Sequence, residues 1–124
     1  MTVLVDSDIL IEVSRGRNAD VVSRWLELDE TKAGVLVSPV TAAELWAGAL
    51  PHEQNLLKAL LANLTCAVID ETTGARAGEY LRKYQKSHGI ELGDALIAAS
   101  AVQNGASLWT RNRKHFPMKE VAFF

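Results

Sequence analysis

Four short apolar runs punctuate the sequence: TVLV (2–5), GVLVS (34–38), CAVID (66–70) and SLWT (107–110). Stretches of helical character fill every interval between them. Strands separated by helices pair in parallel, because each crossover lays a helix on the sheet, and strands buried on both faces read as unbroken apolar runs. The chain is therefore expected to form an α/β fold. Its sheet has four parallel strands, or five if EVAFF (120–124) joins, with helices covering both faces. The helices are expected at 7–15, 19–30, 40–49, 54–64, 71–87 and 91–104. GRN ends the first, Pro39 and Ser38 suit the start of the third, and Gly105 stops the last. In 19–30, Val22, Trp25, Leu26 and Asp29 recur at helical spacing, three of them apolar.

The chain's 124 residues suit one domain, 1–124, with one sizeable core. There is no internal repeat, low-complexity tract or linker. An apolar fraction of 48% is ordinary for a globular protein, which argues against disorder. No apolar run approaches the roughly 18 residues of a spanning helix. MTVLVDSD lacks the basic start of a secretory signal. The one cysteine, Cys66, cannot form an internal disulfide. It is expected to be a small buried hydrophobe in a reducing cytoplasm.

Three acids sit awkwardly in apolar surroundings. Asp6 ends the first strand in TVLVDSDIL, Glu44 lies in SPVTAAELWAG, and Asp94 opens the greasy helix ELGDALIAASAVQNG. Each has a plain structural explanation. Asp6 suits the N-cap of helix 7–15, Thr41 to Glu44 has the form of a capping box, and Asp94 suits the positive end of its helix. The faces they occupy argue for more. Glu44 shares its side with Val40, Thr41, Ala47 and Gly48; Asp94 shares its side with Ile97, Ala98 and Ala101. Acids directed into a tight cleft have such neighbours, and solvated acids need none.

In parallel sheets, ligands bind beyond the carboxyl ends of the strands, where Asp6 and Thr110 fall. Two carboxylates ~5 Å apart repel by about 3 kcal/mol at an effective dielectric of about 20. Three together call for protonation or a cation. Oxygen-only donors suit Mg²⁺ or Mn²⁺, whereas zinc asks for His or Cys. His52, His88 and His115 have no metal-ligand spacing. No Gly-rich phosphate loop, G-x-S-x-G elbow or Cys–His pair is present.

Net charge is −2, unevenly distributed. Residues 1–106 hold nine Lys/Arg against fourteen Asp/Glu, and residues 107–124 hold four against one. Arg111, Arg113 and Lys114 cluster in TRNRKHF, a basic edge on an acidic body that suits phosphate.

The sequence resembles the PIN-domain family and, within it, the VapC-type toxins of bacterial toxin–antitoxin pairs. The likeness rests on VLVDSDILIE, SPVTAAELWAGA and LGDALIAASAVQNGASLWTRNRKHFP, in that order and over nearly the whole chain. It implies a three-layer α/β/α sandwich around a mostly parallel sheet. It further implies Mg²⁺ or Mn²⁺ held by Asp6, Glu44 and Asp94, and cleavage of RNA. A small antitoxin that blocks the site and a homodimer also follow from it; Trp46, Leu50, Leu57 and Leu61 offer apolar surface for the latter. The family's fourth acidic position falls on Asn112, which lowers the site's charge, and Asp8 takes a supporting role.

On this reading the chain is an endoribonuclease whose catalytic acids are Asp6, Glu44 and Asp94. A carboxylate-held ion activates water and polarises the phosphate. Asp6 and Asp94 are the principal ligands, and Glu44 completes the shell or orients the attacking water. Ser7 and Thr110 bond the carboxylates or the phosphate, Asn112 steadies a water at the ion, and Arg111, Arg113 and Lys114 meet the RNA backbone. Two alternatives compete. One is a catalytically inactive PIN-like module that binds RNA or protein. The other is a receiver-type phosphoacceptor domain with Asp70 after the third strand, which leaves Glu44 and Asp94 idle.

Overall fold

The computed structural model describes residues 1–31 and 34–124. Four strands, β1 (Thr2–Val5), β2 (Gly34–Val37), β3 (Thr65–Cys66) and β4 (Ser107–Trp109), form one sheet in the order β3-β2-β1-β4. All three pairings are parallel, and Leu4 stands opposite both Leu36 and Leu108. Six helices connect them: α1 (Ser7–Arg15), α2 (Ala19–Thr31), α3 (Pro39–Gly48), α4 (Gln54–Ala62), α5 (Glu71–His88) and α6 (Leu92–Gln103).

Successive strand side chains point to opposite faces, so each apolar strand feeds two cores. Leu4 and Leu108 pack with Ala77, Tyr80, Ile97 and Ala98 of α5 and α6. Val3, Val5, Val37 and Trp109 pack with Ile9, Leu10, Leu28, Leu45 and Leu57 of α1 to α4. The result is the expected three-layer α/β sandwich. From β1 the chain winds outward to β2 and β3, then returns across the sheet to β4 on β1's other side. The order reverses between β1 and β4, which makes their carboxyl ends the switch point.

Two strand expectations shorten. The third strand is Thr65–Cys66 rather than 66–70, because β2 stops at Val37, where Ser38 turns to cap α3; only the Ala67 N–H still reaches the Val37 carbonyl, at 2.8 Å. EVAFF makes a single parallel bridge, Leu108 to Phe123, not a fifth strand. In a parallel strand each residue turns both its N–H and its C=O to one side, alternating along the chain. Three-residue β4 therefore offers only Leu108 outward, and that residue bonds Ala122 and Phe124 at 2.7 and 2.9 Å. Arg24 completes this edge, lying 4.0 Å from the Phe124 ring centroid.

Other expectations also move. The buried stripe of α2 is Val21 and Leu28 with Trp25 partly covered, while Leu26 is 56% exposed. Asn18, whose side chain accepts the Val21 N–H at 3.1 Å, sets the start of that helix. Cys66 is exposed, not buried, because short β3 lies at the sheet edge with neither of its side chains covered. Gly105, at φ 60°, lets the Ala106 N–H turn back to the Ala101 carbonyl at 2.9 Å and ends α6.

Candidate active site

Asp6 directly follows β1 and caps α1, so strand end and helix start fix one side chain. Only 8% exposed, it has a donor for each oxygen: the Ser7 N–H at 2.8 Å on Oδ1 and the Thr110 hydroxyl at 2.9 Å on Oδ2. Its own N–H donates to the Trp109 carbonyl at 3.0 Å. The ends of β1 and β4 are thus stitched together at the switch point. Burial pushes the Asp6 carboxyl above the ordinary range; the Ser7 and Thr110 bonds oppose this, and the charges of Asp8 and Asp94 add to it.

Glu44 lies mid-way along α3, whose cap is Ser38 rather than Thr41, so the capping-box explanation of Glu44 fails. Although the residue is exposed, its carboxyl is raised. Partial loss of water comes first, followed by the charges of Asp6, Asp94, Asp8 and Glu91. Asp94 is in the first turn of α6 and accepts the Glu91 N–H at 3.0 Å on Oδ2. Gly93 eases this placement: a Cβ there would stand 3.3 Å from Val40 Cγ1, tighter than most such contacts, where α6 starts beside α3. Asp6, Glu44 and Asp94 consequently share one charged neighbourhood.

The raised carboxyls fix a sign. A folded acid with a raised pKa binds its proton more tightly than the unfolded chain does, so stability falls as pH rises through the interval between the two values. The penalty is absent below about pH 4 and complete above the raised value. In chelator, Asp6→Asn should therefore gain on the parent in melting temperature between pH 4 and 7. A gap that stays constant across that range would contradict the assignment.

The turn after β4 crosses back onto α1. Asp8 Oδ2 accepts the Arg111 N–H at 2.9 Å and the Asn112 amide at 3.3 Å, while Asp8 Oδ1 is buried with no partner among the described residues. Thr110 in turn accepts the Asn112 N–H at 3.1 Å. Ser7 serves Asp6 through its backbone. Of the basic residues, Arg111 pairs with Glu12 at 3.3 Å and Arg113 lies 4.9 Å from the Phe123 ring centroid, while Lys114 is exposed. Sequence reasoning missed two neighbours. His115 Nδ1 stands 3.9 Å from Asp94 Oδ1, a contact with no local signal. Glu91, three residues before Asp94, does carry one in its capping spacing.

Among the described residues, no three His, Cys, Asp or Glu side chains form a ready-made metal cage. Protein donors hold Asp6, Asp8 and Asp94 instead. The donor set nevertheless fits a hard divalent cation: it is all oxygen, with raised carboxyls and one orphaned buried carboxylate oxygen. Asp70 is otherwise engaged, accepting the Thr73 N–H at 3.0 Å as the cap of α5.

Comparison with known proteins matches residues 3–123 to the PIN domain. The chain belongs to the PIN-domain family. This PIN domain is 40% identical over 119 residues to ribonuclease VapC10 of Mycobacterium tuberculosis, covering 95% of this chain and 88% of that one. It is 30% identical over 117 residues to ribonuclease VapC1 of Methanocaldococcus jannaschii, covering 92% and 78%. Among solved structures it is similar to VapBC2 of Rickettsia felis bound to a promoter DNA fragment, with TM-score 0.81 and 25% identity over 100% and 98% of the chains. FitAcB of Neisseria gonorrhoeae aligns at TM-score 0.69 and 28% identity, over 98% and 96%. The PIN domain here is a homologue of VapC ribonuclease toxins, as the sequence resemblance implied, and the receiver-type alternative is set aside.

Proposed function

We propose that this chain is an Mg²⁺- or Mn²⁺-dependent endoribonuclease, the toxin of a toxin–antitoxin pair, acting in the cytoplasm. The observation that carries the proposal is Asp6: it is nearly buried at the switch point, and the charges of Asp8 and Asp94 reach it. Asp6 and Asp94 would hold the ion, with Glu44 completing the shell. Such an ion supplies an activated water at neutral pH and charge stabilisation for the phosphate. Ser7 and Thr110 fix Asp6 so that it needs no reorganisation. Glu44, more open to solvent and with a raised carboxyl, orients the attacking water. Asn112 lies beside them, and Arg111, Arg113 and Lys114 position the RNA backbone without reading its sequence.

The test is RNA cleavage by the purified chain in Mg²⁺ against chelator. Cleavage only with metal supports the proposal; binding of RNA without cleavage would favour the inactive-module alternative. Inducing this chain alone should arrest bacterial growth, and a companion chain should restore it.

An apolar cleft of about 200 Å³ lies between α1, α3 and α4, lined by Leu10, Ile11, Leu45, Leu57 and Leu60, with Glu44 also on its wall. It suits an antitoxin segment that continues to the acids. We expect that segment to place an Arg guanidinium among the carboxylates, substituting for the ion's charge. A structure of the complex checks this, and carboxylates left open to solvent would count against it. Trp46 and Leu50, 42% and 54% exposed, support a homodimer, whereas Leu57 belongs to the core.

A further inference from the structure

The site as proposed uses three carboxylates and leaves a fourth, Asp8, without a role in the chemistry. Asp8 lies in the first turn of α1, two residues beyond Asp6. A first-turn acid that only favours its helix's positive end needs no partner and no shielding from water. Asp8 has both. Oδ2 takes two donors from the turn after β4, the Arg111 N–H and the Asn112 amide. Oδ1 is shut away from solvent with no donor among the described residues. Most buried polar atoms are satisfied, and a buried carboxylate oxygen without a donor has its lone pairs free for a water or a cation. The charge of Asp8 is felt at both Asp6 and Glu44.

We propose that Asp8 supplies the fourth negative charge of the cation site, one oxygen latching the Arg111–Asn112 turn and the other offered to the cation. This rests on the metal-dependent reading above and extends it. Asn112, neutral and hydrogen-bonded to Asp8, then serves to aim that carboxylate. Charge and latch are separable by chemistry. Asn at position 8 keeps a carbonyl oxygen for the Arg111 N–H but loses the charge.

Titration calorimetry with MgCl₂ and MnCl₂ on the full chain provides the test, together with melting in chelator. Asp8→Asn should weaken binding of both ions about ten- to a hundredfold, as loss of a group supporting a metal site does. Its melting point in chelator should not fall below the parent's. A parent that binds neither ion overturns the metal reading, and this inference with it. Binding by Asp8→Asn equal to the parent's overturns the role of Asp8 alone. Weakened binding accompanied by a melting point in chelator well below the parent's makes Asp8 only a latch and overturns its charge role.

Discussion

Asp94→Asn is expected to leave the metal-free protein within about 1 kcal/mol of the parent or above it, while RNA cleavage falls about a thousandfold or more. The two halves have separate causes. Asp94 bonds the Glu91 N–H through Oδ2, and the Asn carbonyl can accept that bond in its place. Losing a negative charge from the first turn of α6 forfeits a dipole interaction of about 0.3–1 kcal/mol. Against this, Asp6 and Glu44 are both relieved of a neighbouring charge that now pushes their carboxyls up. Catalysis has no such offset. Asn offers an oxygen but not the charge that retains a divalent ion, and losing about 4 kcal/mol of transition-state stabilisation removes three powers of ten in rate. Melting of both proteins in chelator and cleavage rates in Mg²⁺ together form the measurement. Near-normal cleavage would remove Asp94 from the site, and a collapse in stability would make it a structural residue.

Adding Mg²⁺ or Mn²⁺ should raise the melting temperature of the parent by roughly 10 °C at a hundredfold excess over the dissociation constant. That follows from the ~2.7 kcal/mol that a native-state ligand contributes at such saturation, spread over a domain of this size. The shift should exceed that given by NaCl at equal ionic strength, because screening weakens repulsion among exposed charges more than among buried ones. It should shrink in Asp94→Asn. Calorimetry showing no binding at millimolar metal, with an unmoved melting point, would refute the carboxylate-held ion. Because the repulsion grows as the acids ionise, the metal-induced shift should be larger at pH 7 than at pH 4.5.

Much of this could be read without coordinates. Asp6 was legible because a strand end and a helix cap coincide in a few consecutive letters. Thr110 was legible for the same reason at β4, and parallel strands must release both residues along one edge. Glu44 and Asp94 stood out as acids on small, apolar helix faces. The reading failed where neighbours are distant in sequence. Asp8 meets Arg111 and Asn112 across 103 and 104 positions, and His115 meets Asp94 across the whole of β4. In α2, the spacing of Val21, Trp25 and Leu28 is as helical as that of Val22, Trp25, Leu26 and Asp29. Periodicity alone could not choose between them.

By itself the sequence determined the order of elements, the parallel pairing and the edge where the acids emerge. Those follow from local apolar patterning, from caps such as Ser38 and Gly105, and from the need to cover both faces of each strand. Tertiary structure alone decided how far each strand pairs. β3 ends where β2 runs out, leaving Cys66 exposed, and EVAFF bonds only the outward-facing Leu108. It also decided which charges feel one another. Electrostatic coupling depends on distance and on the water excluded between groups, and neither is defined until α1, α3, α6 and the turn after β4 have packed together.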